Sequence, residues 1–300
     1  MKVRIVKDWD QPDFLRQTPG GRGYWDDILF TDKPGISCDV LVTLNAVNKN
    51  IFTFCRKGGR WLMSQEPPHA FYTWQTKGYK YFDRIYTFWK QNDFPQHHII
   101  NTQTSLPWHI GKSYDELVRL DENNLSSKKD SVSWITSNLN NRPGHALRLG
   151  FIDYLRAHQF PFDLFGRGFQ PVADKFDVIF PYKYSIAIEN FSCPDYWTEK
   201  IADCFLSWTM PVYYGCTNIV NYFPRQSMIM IDPQEPAEAL RVIQEAINGD
   251  SWKKNLEYIK EARELILNKY QFFPSIAEKI KQAGLSTEKK FYWIRKPKFE

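Results

Sequence analysis

Cysteine is scarce in this chain of 300 residues and is not arranged for metal or disulfide chemistry. Its five thiols (Cys38, Cys55, Cys193, Cys204 and Cys216) are odd in number and scattered, with no C-x-x-C pair. Neither a zinc knuckle nor a disulfide framework is indicated, and reduced thiols in a cytoplasmic setting are the simplest account. The six histidines show no ligand spacing such as H-x-x-x-H, so a metal site has no support. Long apolar runs are also missing: nothing approaches the roughly 20 residues of a membrane helix. The opening Met1-Lys2-Val3-Arg4-Ile5-Val6-Lys7-Asp8-Trp9 turns charged too early for a signal peptide and reads as a strand. Taken as a full-length chain, the protein is expected in the cytoplasm, without an N-terminal anchor. Charge of either sign is modest, with 39 Lys+Arg against 34 Asp+Glu for a net +5. That permits an anionic ligand or membrane surface but lacks the concentrated basic face of a nucleic-acid binder.

Aromatic residues are in excess, with 22 Phe, 16 Tyr and 11 Trp making 16% of the chain. They suit stacking platforms for sugars and bases, and equally the large cores that composition alone favours. With 43% hydrophobic and 24% charged residues the chain is expected to fold, and its length suits two domains. Short apolar runs alternate with helical patterns. Strands are expected at residues 3–6, 39–44, 60–64 and 84–88, and helices at 72–82 and 114–120. Residues 121–130 are polar, lack periodicity and read as a linker. Strands then fall at 131–136, 162–165, 184–188, 211–214 and 228–231, and helices at 144–158, 198–208, 236–247, 251–270 and 274–283. No internal repeat or low-complexity tract is present. Two α/β halves joined by one linker describe a two-lobed enzyme with a cleft.

Several local patterns carry chemistry. Asp8-Trp9-Asp10 matches the D-x-D of metal–diphosphate sites, but it precedes any complete nucleotide-binding unit and is set aside. Gly20-Gly21-Arg22-Gly23 opens no helix and reads as a flexible loop, not a dinucleotide fingerprint. In Ser64-Gln65-Glu66-Pro67-Pro68 a strand delivers a glutamate to a rigid turn, a good position for a general base and also an ordinary one for a polar loop residue. The densest constellation is Tyr182-Lys183-Tyr184-Ser185-Ile186-Ala187-Ile188-Glu189-Asn190 followed by Asp195-Tyr196-Trp197-Thr198-Glu199-Lys200. Here a strand ends in Glu-Asn and a helix opens with Asp195 as expected N-cap, an anion site to which Lys200 adds charge. Glu199 is placed to accept from two ribose hydroxyls. A solvated Glu-Lys pair fits the same residues.

That constellation, with Pro211-Val212-Tyr213-Tyr214-Gly215 and Asn221-Tyr222-Phe223-Pro224, resembles the α-1,3/4-fucosyltransferase signature of glycosyltransferase family 10, roughly Y-K-F-x-L-x-F-E-N, D-Y-x-T-E-K, x-P-V-x-x-G. Val132-Ser133-Trp134-Ile135-Thr136-Ser137-Asn138 resembles the strand that opens the family's donor domain. The likeness is clear from about residue 131 to 231, thinner before and absent in the tail. Ile188 and Trp197 depart from the pattern, at positions expected near the donor pocket, and leave the transferred sugar less defined than the reaction class.

The resemblance implies a bacterial-type soluble member with the GT-B fold, two Rossmann-like domains facing across a cleft. Residues 1–125 would bind the acceptor, 126–285 the GDP-sugar, and 286–300 would form a basic aromatic tail. It implies inverting transfer of L-fucose from GDP-β-L-fucose to O3 of GlcNAc or Glc in an oligosaccharide or lipid-linked glycan. Glu66 would be the base and Glu189 would support charge at the sugar. Arg148 and Lys200 would hold the diphosphate, Glu199 the ribose, and Asn190 and Tyr196 the nucleotide pocket. No cofactor is required and no metal ligands are expected, a divalent metal at most stimulating. The tail at 289–299 mixes five cations with four rings. It either packs back on the acceptor lobe, the favoured reading, or docks on the anionic inner face of the cell membrane. Two alternatives stay open: transfer of another nucleotide sugar in surface-glycan synthesis, and a catalytically inactive carbohydrate-binding protein.

Overall fold

The structure, a computed structural model, describes residues 1–7 and 13–297. Asp8-Trp9-Asp10 and the tail's Lys298 and Phe299 lie outside the described residues. Two compact units divide the chain: one is Met1–Pro107, Ser113–Asp115 and Tyr270–Glu300, the other Trp108–Lys112 and Glu116–Lys269.

Up to Pro107 the strands of the first unit are β1 (Lys2–Val6), β2 (Tyr24–Trp25), β3 (Ile28–Thr31), β4 (Val40–Leu44), β5 (Ile51–Arg56), β6 (Arg60–Ser64), β7 (Arg84–Thr87) and β8 (Ile99–Asn101). Seven of them form one sheet in the order β2-β3-β1-β4-β6-β7-β8, parallel except where β2 runs against β3. The central β4, Val-Leu-Val-Thr-Leu, is buried throughout, as a strand covered on both faces must be. The expected helix at 72–82 is instead a 3-10 helix over Ala70–Tyr81. Its aromatic and threonine-rich sequence is a weak α former, and the hydroxyls of Thr73 and Thr76 donate to the carbonyls of Ala70 and Thr73. The glycine-rich loop is tied down as well: Gly20 N–H donates to the Asp115 carboxylate at 3.0 Å and Gly23 N–H to the Thr18 hydroxyl at 2.9 Å.

After α1 (Tyr114–Arg119), the second unit runs β9 (Lys129–Ile135), α2 (Pro143–Ala157), β10 (Asp163–Phe165), α3 (Phe176–Ile179), β11 (Tyr182–Ile188), α4 (Glu199–Leu206), β12 (Met210–Tyr214), β13 (Ile229–Met230), α5 (Pro236–Asn248), α6 (Ser251–Lys254) and α7 (Leu256–Leu265). Its five strands are all parallel, in the order β10-β9-β11-β12-β13. The expected linker at 121–130 is ordered. Asp121 caps a 3-10 turn over Glu122–Leu125, and the buried Lys128 amine lies 2.5 to 3.0 Å from Phe180 O, Tyr182 O, Ser207 O and Thr209 Oγ1. Burial among neutral acceptors pulls that amine down to about 7. The expected helix at 251–270 breaks at Asn255 and ends in a π-helical turn over Ile266–Tyr270.

The chain then returns to the first unit, which corrects the expected division at residues 125 and 285. Helix α8 (Phe272–Gln282) opens on Gln271, whose side chain accepts from Phe273 N–H, and buries Phe272, Phe273, Ile276, Ala277 and Ile280 against Val3, Ile5, Val42, Trp61 and Met63. Strand β14 (Lys289–Ile294) pairs antiparallel with β5, and this ribbon joins Leu41, Leu62, Tyr79 and Ile85 over the opposite face through Ile51, Cys55 and Ile294. A helical pattern announces a buried stripe but not the sheet that receives it. Because α8 completes this core, Phe272→Ala is expected to destabilise the first unit by about 3–5 kcal/mol in urea unfolding. A loss below about 1 kcal/mol would show that α8 is peripheral.

Candidate functional site

The signature residues collect at the carboxyl ends of β11 and β12, the edge where a parallel sheet presents its loops. Glu189 follows β11 and is 1% exposed. Its carboxylate accepts from Thr198 N–H at 2.8 Å, and the Thr198 hydroxyl lies 2.9 and 2.8 Å from its two oxygens. Lys200 Nζ stands 3.2 Å from Glu189 Oε2, 3.3 Å from Glu199 Oε1 and 3.0 Å from the Thr198 hydroxyl. Burial raises Glu189 above the usual carboxylate range, with Lys200 opposing; Lys200 itself is raised, as its two carboxylates outweigh burial. Gly215 follows β12 at φ +151°, and a Cβ there would come within 2.4 Å of Glu189 Cγ, so a glycine admits the carboxylate.

The N-cap of α4 is Thr198, not Asp195. Asp195 has φ +64°, and its carboxylate accepts from Asn218 Nδ2 at 2.8 Å and the Tyr222 hydroxyl at 2.7 Å. The Asn-Tyr-Phe-Pro segment therefore braces the loop ahead of α4. Trp197 is 1% exposed and packs edge-on against Phe223 and Tyr222, and Ile188 is equally buried. Both departures from the signature are thus core residues. Asn190 Oδ1 accepts from the Tyr196 hydroxyl at 2.5 Å, and Gly144 in the first turn of α2 brings that helix close enough that a Cβ would sit 2.0 Å from Asn190 O.

Arg148, on α2, is 7% exposed, and among the described residues its hydrogen bonds go to neutral groups: Nε donates to Gly144 O at 3.2 Å and Nη1 to the Thr136 hydroxyl at 3.4 Å. Burial lowers its guanidinium, with Glu189, Tyr196 and Glu199 opposing. A buried cation without a carboxylate in contact is costly, and an anionic ligand would relieve that cost.

Three further members escape motif reading. Lys175 Nζ bridges Glu199 Oε1 at 3.6 Å and Asp203 Oδ2 at 3.3 Å, and His109 Nδ1 is 3.9 Å from Glu199 Oε1. Asp203 Oδ1 accepts from the backbone N–H of His109 and Ile110 at 2.9 and 3.3 Å, which fastens Trp108–Lys112 to this unit. The available signal was Asp203 itself, an acid four residues after Glu199 inside the apolar run of α4. Glu66 belongs to the first unit. It follows β6 half-buried, after a Gln65 held by Asn45 and near the carbonyls of Thr104 and Ser105. The five cysteines are free thiols, and among the described residues no group of three His, Cys, Asp or Glu could hold a metal ion.

Two Rossmann-like units built on parallel sheets define the GT-B class of glycosyltransferase folds. The solved structure of an alpha1,3-fucosyltransferase is similar, with TM-score 0.55 and 16% identity over 100% of this chain and 92% of that one. The sequence model for glycosyltransferase family 10 (fucosyltransferase), C-terminal part, matches residues 125–282, and the chain belongs to this family. It is 30% identical over 199 residues to human 4-galactosyl-N-acetylglucosaminide 3-alpha-L-fucosyltransferase FUT6, covering 63% of this chain and 51% of that protein. It is 36% identical over 95 residues to zebrafish GDP-fucose protein O-fucosyltransferase 3, covering 31% and 20%. The chain thus spans about half of the first relative's length and a fifth of the second's.

The charge cluster also sets a pH dependence. Burial pushes Glu199 up, but Lys200, His109 and Lys175 outweigh it and hold the carboxyl well below its ordinary 4.5. Its stabilising share is present above 4.5 and is lost as pH falls below that value. Glu199→Gln should cost about 2 kcal/mol near neutral pH, and its stability gap to the parent should shrink towards about pH 3. A gap independent of pH in denaturant titrations would refute the ion-pair account.

Proposed function

We propose that the protein is an inverting glycosyltransferase that moves L-fucose from GDP-β-L-fucose to a hydroxyl of an oligosaccharide acceptor. Family membership supports the reaction class, as does the transferase activity in the relatives' names. The observation that carries the site assignment is Arg148, a buried guanidinium with only neutral partners on the same unit as Lys200 and the start of α4.

Arg148 and Lys200 take the diphosphate, whose negative charge grows as the bond to the anomeric carbon breaks. Glu199 receives the ribose hydroxyls through Oε2, since Lys175, Lys200 and the His109 ring all approach Oε1. Asn190 and Tyr196 line the nucleotide pocket. Glu189 acts through its neighbours, aiming Lys200 and fixing the first turn of α4. The sugar passes through an oxocarbenium-like state as the acceptor oxygen forms its bond to the anomeric carbon. Glu66 takes the proton from that oxygen.

A donor-by-acceptor screen with GDP-fucose, GDP-mannose and UDP-sugars, product linkage read by NMR, tests this reading. Fucosylated product is expected only from GDP-fucose; turnover only with another donor overturns the fucose assignment. Lys200→Ala should weaken GDP binding by about 10- to 100-fold in calorimetry, since a hydrogen bond to a charged group is lost. Unchanged affinity counts against the phosphate role. Glu66→Gln should reduce turnover by about 100-fold or more while GDP affinity holds. Turnover at the parent's rate eliminates Glu66 as the base.

A further inference from the structure

A second cationic feature lies in the first unit, away from every signature residue. Lys2, Arg4, Arg22 and Lys33 line a groove of about 390 Å3 with Leu15, Phe30, Pro34 and Ser37, and among the described residues no carboxylate lines it. Among the described residues none of these four cations is ion-paired; Arg4 Nη1 donates only to a carbonyl, Phe52 O, at 2.7 Å. Pockets of this volume bind small ligands or headgroups, and four unneutralised cations select an anion.

The groove continues into an apolar ledge. Ser37, on its wall, bridges to Phe54 of β5, and Phe54 N–H donates to Ile36 O at 2.6 Å. Register places Phe291 opposite Phe54 and Trp293 opposite Phe52 on the β5–β14 ribbon. The other ribbon face is buried through Ile51, Cys55 and Ile294. The outward rings are 40 to 58% exposed, and Ile36 beside them is 54% exposed. Phe52 stacks on Trp293 at 5.8 Å and on Phe291 at 6.3 Å, and Arg295 sits 4.0 Å over Trp293. Five of the ten exposed large hydrophobics among the described residues therefore share one surface.

We propose that this groove and ledge dock the protein on an anionic lipid bilayer, phosphates meeting the cations and rings entering the headgroup boundary. Three features favour that occupant. Apolar rings next to unpaired cations match an amphiphilic surface, where aromatic side chains anchor and basic ones are drawn to anionic lipid. A second copy of the chain would bring like-charged grooves together across a two-fold axis. Phe52, Phe291 and Trp293 already occupy one another's ring faces, unlike an open platform for successive bases.

The test uses the full chain sedimented with vesicles of phosphatidylcholine alone or mixed with phosphatidylglycerol. The parent should bind the anionic vesicles at least about tenfold better, with binding lost at high salt. Combining Lys2→Gln, Arg22→Gln and Lys33→Gln should weaken that binding on the order of a hundredfold. Phe52→Thr with Trp293→Thr, which keeps strand-favouring residues on an exposed face, should weaken it about tenfold. Unchanged GDP binding and melting temperature will show that both variants fold. Equal binding to both vesicles, or anionic binding indifferent to the charge variant, overturns the proposal. Undiminished binding by the ring variant reduces the surface to a plain anion site and overturns it too. So does self-association of the parent that the ring changes abolish.

Discussion

The site depends on one buried contact, the Glu189 carboxylate capping the backbone and hydroxyl of Thr198 while holding Lys200. A carboxylate 1% exposed is expensive unless its oxygens are satisfied, and here a helix start and an ammonium supply the partners. The end of β11 and the beginning of α4 are therefore fixed to each other. Around the contact, Gly215 leaves room for the carboxylate, Asp195 ties the preceding loop to Asn218 and Tyr222, and Trp197 packs beneath. The family signature is largely the parts list of this assembly.

Charge explains why the second layer exists. Glu189, Glu199 and Asp203 face Lys200 and Lys175, so the cluster is held in one arrangement before any ligand arrives. Arg148 stands beside that balance with no carboxylate in contact among the described residues, which is why the proposed phosphate role falls on it. Such a preset arrangement is what electrostatic stabilisation of a leaving diphosphate requires.

How much of this was legible in the sequence follows from where each determinant lies. Glu189, Asn190, Thr198, Glu199 and Lys200 sit at a strand end and the helix start that closely follows it, so one stretch of sequence reveals them together. Lys175 and His109 come from loops without periodicity and meet Glu199 only through the fold. The expected Asp195 cap failed because Asp195 takes a left-handed backbone and spends its carboxylate on residues more than 20 positions later. The strands at 60–64 and 84–88 are readable from the short apolar runs Trp61-Leu62-Met63 and Ile85-Tyr86, and the one at 3–6 from Val3, Ile5 and Val6 around Arg4. The tail strand is not, because its outward rings erase the usual alternation of polar and apolar residues. The helix at α8 is readable but the unit it packs on is not, since amphipathicity does not name a partner. The aromatic excess divides between cores, such as Phe272 and Phe273 beneath the first sheet, and the exposed ledge of the β5–β14 ribbon.

The most direct measurement is a crystal structure of this chain with GDP bound. The diphosphate is expected to donate no proton and to accept from both the Arg148 guanidinium and Lys200 Nζ, with Glu189 still capping Thr198. A diphosphate bound elsewhere, leaving Arg148 on its neutral partners Gly144 and Thr136, would contradict the assignment of this site.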